Sequence, residues 1–339
     1  MKLYCVAIAL LFLYSCKENN NLSNNHTQKD TIIHDADNAQ IKYLSDAIAK
    51  DSTQADLFFT RANLYLQDTM IVEAVKDLRQ AIHIDSSKTA YRMALSEVYF
   101  QSGELVYAIE EAKIAHRINN LDIDIKNRLA KYFMLTKGYE NALKLTKDAH
   151  IVAPQDAESY FIEGMIYYEM QLKDKAIGSL KKCIEQDPEY IDALMQLATI
   201  YNRDKSKEAI RYYDYVIRID SMNMLAHYGK AMYYQDNKEY DAAKKVYRNM
   251  IVINKNATNA YYNLGYIYMH QDSIDIAIRQ FEIAIRVAPT YADAYYMRGL
   301  CYEAKKDYVM AKVDYKQCLT FKEDHTQAKG ALKRIDAKL

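Results

Sequence analysis

Tyr261-Tyr262-Asn263-Leu264-Gly265-Tyr266-Ile267-Tyr268, followed by Ala277, Phe281, Ala284 and Pro289, is the clearest copy of a pattern that occupies most of this 339-residue chain. Outward from Ala277, alanine stands at 74, 108, 142, 176, 209, 243 and 311, at a spacing of 34 residues with one step of 33. Upstream of each alanine lies a small residue: Ala62, Ser96, Ala130, Gly164, Ala198, Ala231, Gly265 and Gly299. Three residues after each small residue comes an aromatic: Tyr65, Tyr99, Phe133, Tyr167, Tyr201, Tyr234, Tyr268 and Tyr302. A period of this size means stacked units, each too small to bury its own apolar face. Small residues at two places let two helices approach closely, and the aromatic fills the space between one hairpin and the next.

These strings closely resemble the tetratricopeptide repeat, with Tyr261 in place of its frequent tryptophan. With the small residue as position 8, the ladder alanine as 20 and a closing proline as 32, repeats begin at Ala55, Thr89, Ile123, Ala157, Ile191, Met224, Thr258 and Ala292. All three prolines, Pro154, Pro188 and Pro289, fall at position 32. Proline inside a helix forfeits a hydrogen bond, so its confinement to this boundary supports the register independently. Gly103 and Gly138 fall in the turn within a hairpin, and the one missing residue falls between Asn202 and Glu208 of the fifth repeat. The resemblance implies an all-α fold: a right-handed superhelical solenoid of eight tetratricopeptide helix hairpins, with N- and C-terminal capping helices.

The ends suit a solenoid. Gln40 to Lys50 reads as a lone helix before the first repeat, and Gln327 to Lys338 as an extra first helix after the eighth, each covering an exposed apolar face. The expected organisation is a lipoprotein signal peptide at 1–15, a disordered tether at 16–38, an N-terminal cap at 39–54, eight repeats at 55–325 and a C-terminal cap at 326–339. Lys2 precedes an unbroken apolar or aromatic run from Leu3 to Tyr14. Twelve residues fall short of the about 20 that span a bilayer as a helix, and the run breaks at Leu13-Tyr14-Ser15-Cys16 in the manner of a secretory signal. This break resembles the bacterial lipoprotein cleavage box, which makes Cys16 the acylated N-terminus and places the protein in the cell envelope, anchored by lipid. Lysine rather than aspartate at residue 17 favours the outer membrane, with the periplasmic or surface face open. The following segment, rich in Asn, Asp, Thr and Lys and without helical period, reads as a flexible tether whose His26 and His34 are solvated.

The composition narrows the function. With 45 basic and 45 acidic residues, the chain shows no excess that would attract nucleic acid. Cys183 and Cys318 share position 27 with alanines of other repeats and read as small core residues; a bond between Cys301 and Cys318 is the alternative. No nucleophile with a base, phosphate loop or set of metal ligands is found, so the chain reads as no enzyme and as needing no cofactor or metal. His83, His116 and His150 lie near one another in register but lack further ligands. Asp56, Asp124, Glu158, Asp192 and Asp293 share position 2, where a helix N-terminus favours negative charge.

In the family that the repeats resemble, first helices line the concave face through positions 2, 5, 9, 12 and 13. Here repeats four to eight place an aromatic and methionine stripe on it: Phe161, Met165, Tyr168, Met195, Tyr228, Met232, Tyr262, Tyr266, Met269 and Tyr296. Such side chains suit adaptable contact with a peptide or a partner protein, although tyrosine at positions 5 and 12 also packs between neighbouring first helices. The family's clamp for acidic tails finds no three matching repeats, since Asn127 and Lys131 stand in the reverse arrangement. The expected function is a membrane-anchored interaction scaffold. The alternative is a glycan-binding or cell-wall-associated component, with Asn259 and Asn263 beside the tyrosines; self-association through the exposed ends is a third possibility.

Overall fold

The computed structural model describes residues 39–338, so Cys16, the signal segment and the tether lie outside the described residues. Among the described residues every regular element is a helix. The first helices of the eight repeats are Ala55–Gln67, Thr89–Gln101, Ile123–Leu135, Ala157–Glu169, Ile191–Arg203, Met224–Asp236, Thr258–His270 and Ala292–Ala304. Their second helices are Ile71–Ile84, Leu105–Ile118, Tyr139–Val152, Lys173–Gln186, Glu208–Ile219, Tyr240–Ile253, Ile274–Val287 and Tyr308–Phe321. A lone helix at 39–50 precedes them and Thr326–Asp336 follows. The chain divides into two compact units between Asp192 and Ala193, and within each unit consecutive helices pack on one another.

The repeat pattern explains the packing. Every ladder alanine is fully buried, from Ala74 to Ala311. The small residue at position 8 faces position 24 of the same hairpin. A β-carbon on Gly265 would lie 2.8 Å from the Phe281 ring, and one on Gly299 would lie 2.7 Å from the Tyr315 ring. At these glycines the position-24 side chain fills the space that a β-carbon would take, as close packing requires. The aromatic at position 11 meets a cation from the preceding repeat: Arg79 Nη2 and Arg248 Nη2 donate to the hydroxyls of Tyr99 and Tyr268, both at 2.7 Å. Two hairpins also carry a buried bidentate ion pair between positions 7 and 23. These are Arg61–Asp77 at 2.7 and 2.8 Å, and Arg298–Asp314 at 2.9 and 2.7 Å. Burial pushes the Asp314 carboxyl up, against the pull of Arg298.

Position 15 makes each turn. Its φ is positive in all eight repeats, yet only Gly103 is a glycine; the others are Thr69, Lys137, Gln171, Lys205, Lys238, Asp272 and Lys306. The next N–H then donates back to the carbonyl of the position-11 aromatic, as from Gly138 to Phe133 at 2.7 Å and from Ser206 to Tyr201 at 3.0 Å. This bond closes the helix C-terminus in a Schellman-like manner. The fifth repeat keeps that turn intact and loses its residue at the entry to the second helix, which has 12 residues where the others have 14.

The terminal helices cover apolar ends. Ile48 packs on Ala55, Phe58, Ala81 and Tyr91, while Ala331 and Ile335 are buried against Ala311 and Tyr315. Cys183, Cys301 and Cys318 are free and buried, so Cys301 and Cys318 serve packing rather than a disulfide.

Candidate partner-binding groove

Local capping sets where groove side chains point. The acidic residues at position 2 lie in first turns as expected, but the side-chain caps come from position 34 of the preceding repeat. Asp122, Asp156, Asn223 and His325 each accept a hydrogen bond from a backbone N–H three residues on. At the equivalent position, Tyr291 makes no such cap, and its ring instead lies 5.2 Å from that of Tyr262.

In the unit ending at Asp192, the first helices of repeats three and four enclose a pocket of about 180 Å³. Positions 9, 12 and 13 of repeat three supply Lys131, Met134 and Leu135; repeat four supplies Phe161, Ile162, Met165 and Glu169. Lys137 and Tyr139 close one end, and Tyr190 and Asp192 the other. Phe161 is buried and lines the pocket, with its ring 5.1 Å from that of Tyr190; Met165 is half-buried. Lys131 pairs with Glu158, and Asn127 Nδ2 donates to Asp156 at 2.9 Å. These two polar residues are therefore engaged within the fold. Asp192 is pushed up by burial, with Lys131 as the opposing influence. Tyr190 is likewise pushed up, first by burial and then by Glu158. Tyr168 is half-buried and lies outside the pocket lining.

In the unit beginning at Ala193, Met195, Tyr228, Met232, Tyr262, Tyr266, Met269 and Tyr296 are all half-buried. Tyr228, Met232 and Tyr266 pack on the core of repeats six and seven, whereas Tyr262, Tyr266, Met269 and Tyr296 pack on that of repeats seven and eight. Each therefore combines packing with an accessible edge, and the stripe is less exposed than its sequence spacing suggests. Burial first, then Asp293 and the neighbouring phenols of Tyr266, Tyr228 and Tyr296, push the Tyr262 hydroxyl up to about 12. Burial first, then Tyr262, Asp293 and Tyr228, push Tyr291 up. Tyr266 lies 4.3 Å from the His270 ring, and Tyr296 lies 4.8 Å from His325. Met195 belongs to neither of these clusters.

Position 34, which sequence reasoning passed over, supplies the second wall. The signal was present in Pro188-Glu189-Tyr190 and Pro289-Thr290-Tyr291, where a tyrosine follows the boundary proline by two residues. Asn263, considered as a partner for sugar hydroxyls, is buried, donates to Asn259 O at 2.8 Å and accepts from Gln235 at 3.4 Å. Among the described residues no group of three or more His, Cys, Asp or Glu side chains could hold a metal ion. Among them, too, no helix is long and apolar enough to cross a membrane.

Family models described as tetratricopeptide repeat match residues 157–190 and 226–256, 262–311, and 293–338. Among solved structures, the C-terminal part of a repeat-containing protein from Cytophaga hutchinsonii is similar with a TM-score of 0.61 at 20% identity, covering 72% of this chain and 99% of that one. A tetratricopeptide repeat protein from Parabacteroides merdae ATCC 43184 gives 0.50 at 19% identity, covering 73% and 98%. A chloroplastic tetratricopeptide repeat domain-containing protein of Arabidopsis thaliana, PYG7, is 30% identical over 96 residues, 27% of this chain and 32% of that protein. The matches span 30%, 32% and 60% of the lengths of three curated relatives.

Proposed function

This chain is a tetratricopeptide repeat protein, and from that premise we propose that it is a scaffold of the bacterial envelope, anchored through lipid at Cys16, whose groove receives a peptide or a partner protein. The observation that carries the groove reading is the pocket between the first helices of repeats three and four. Its lining combines Phe161, Ile162 and Met165 with Lys137, Glu169 and Asp192. An apolar lining with a few placed polar groups suits recognition of side chains. At about 180 Å³ it is smaller than the roughly 300–1,000 Å³ of a drug-sized site, so it fits one side chain at a time. The envelope placement rests on the sequence from Lys2 to Cys16, and its outer-membrane part on Lys17.

The test is crosslinking capture from cells that express the lipidated protein, read by mass spectrometry. Truncating Tyr262 or Tyr296 to alanine would open cavities, because both rings pack on the core. Met165→Lys and Met269→Lys are better probes, since a lysine stem can follow the methionine path and place its charge in the groove. Partners captured by the wild type and missing from a normally folded Met165→Lys, Met269→Lys protein place recognition in the groove. An unchanged set would sink that reading and move binding elsewhere on the surface. For the anchor, Cys16→Ser should release the protein from the membrane fraction and abolish labelling by a fatty-acid analogue; persistent labelling would refute acylation at that residue.

A further inference from the structure

The pocket of the first unit and the tyrosine pair of the second share one residue pattern. Phe161, Tyr190 and Asp192 correspond to Tyr262, Tyr291 and Asp293, and each pair of equivalents is 101 residues apart. In both, an aromatic at position 5 of a first helix lies against a tyrosine at position 34, at 5.1 Å in one and 5.2 Å in the other. In both, position 2 of the next first helix adds a carboxylate beside the pair. Tyr291, like Lys88 and Ala257, gives its helix no side-chain cap, whereas Asp122, Asp156, Asn223 and His325 do.

We propose that each of these two aromatic and carboxylate clusters receives a lysine or arginine side chain of a partner segment, the aromatic side chains taking its stem and the position-2 carboxylate its charge. This rests on the groove reading above and names the partner chemistry. Long cationic side chains bury their methylenes along apolar surface while the head stays polar, and a cation over an aromatic face gains from the ring quadrupole.

The charges around each cluster fit a cationic guest. In the first, Lys131 is engaged by Glu158, which leaves Lys137, Glu169 and Asp192 as the other charged residues of the lining. Among the described residues Asp192 accepts no hydrogen bond or ion pair, so a desolvated carboxylate waits beside an apolar pocket. In the second, Asp293 is approached by His325 Nε2 at 3.2 Å and Lys322 Nζ at 3.8 Å, both at Oδ1. His325 Nδ1 accepts from Ala328 N at 3.1 Å, which leaves Nε2 as the ring nitrogen that faces Asp293. Oδ2 remains for a ligand. Burial is the first cause that holds the Tyr262 hydroxyl back from ionising, and the Asp293 charge beside it is the second.

The test uses the full chain and three fluorescein-labelled dodecapeptides that differ only at two positions, occupied by lysine, norleucine or glutamate. Norleucine keeps the stem without the charge. The lysine peptide is expected to bind at least about fivefold tighter than the norleucine peptide, and the advantage should shrink as salt rises. Asp192→Asn with Asp293→Asn should remove the advantage while thermal unfolding shows an intact fold. Equal binding of the norleucine or glutamate peptide, an advantage that survives both substitutions, or failure of the lysine peptide to bind would overturn the proposal. The groove reading fails separately. Partners lost on Met165→Lys, Met269→Lys but retained by the asparagine variants leave the groove standing and overturn cation recognition. Carboxylate-dependent lysine binding with captured partners indifferent to the methionine changes supports cation recognition and sinks the scaffold groove.

Discussion

Gly265 and Gly178 both lie inside helices, and opposite outcomes are expected when each becomes alanine. At Gly265 the new β-carbon would meet the Phe281 ring at 2.8 Å, within a core where both residues are buried. Overpacking of this kind costs about 1–3 kcal/mol. Gly178 is exposed with nothing within 4 Å, so Gly178→Ala should stabilise by about 0.5–1 kcal/mol through backbone entropy alone. Urea unfolding of the two variants beside the wild type checks this, and a stabilised Gly265→Ala would show that the close approach of the two helices is not the reason for its glycine. The sequence revealed that position 8 must be small because that residue recurs as Ala, Ser or Gly. It did not reveal why glycine appears in only some repeats. Leu180, Phe281 and Tyr315 stand opposite the glycines at position 24, but Leu78, Tyr213 and Tyr247 hold that position in repeats whose position 8 is alanine, so the size of position 24 alone does not decide it.

Helices and turns were legible to within a residue or two from the proline and alanine positions, but the turn chemistry was not. Seven of the eight left-handed turn residues are Lys, Asp, Thr or Gln in a predominance that no glycine rule would find, with Gly103 the exception. There Gly103→Ala should destabilise by about 1 kcal/mol, purely from φ +79°, since a β-carbon would meet nothing within 4 Å. The C-terminal helix depends on an electrostatic tie. Glu303 accepts from Arg334 Nε and Nη2 at 2.8 and 2.7 Å and from the Tyr315 hydroxyl at 2.9 Å. Hydrogen bonds from Arg334 hold its carboxyl down at about 2, against burial, with Tyr315 adding to the effect. A depressed folded pKa gives stability that is full above the unfolded value, about 4.3, and is lost as pH falls toward 2. The stability difference between wild type and Glu303→Gln should therefore be largest near neutrality and narrow between roughly pH 4.3 and 2. A difference that stays constant through that window would rule the tie out.

The period of the whole chain was legible because stacking forces the same residues into the same place eight times, whereas the candidate site was only half legible because a groove is made where repeats differ. The stripe at positions 5 and 9 was visible, but its partial burial and the wall at position 34 depend on packing between neighbouring hairpins. Repeated architecture also predicts how damage spreads. Each hairpin gains most of its stability from its neighbours, so losing an end should loosen the adjacent repeat and little beyond it. Removing residues 326–339 would expose the face of the eighth repeat that Ala328, Ala331 and Ile335 now cover beside Ala311, Tyr315 and Cys318. Losing that burial should cost about 3 kcal/mol locally. Native-state hydrogen exchange on the truncated protein should then show faster exchange in Ala292–Ala304 and Tyr308–Phe321, with helices from Ala55–Gln67 to Tyr139–Val152 unchanged. Uniformly faster exchange would mean that the repeats unfold as one cooperative block. No change in the eighth repeat would mean that the last helix contributes nothing as a cap, and that the Glu303 tie holds a helix the fold does not need.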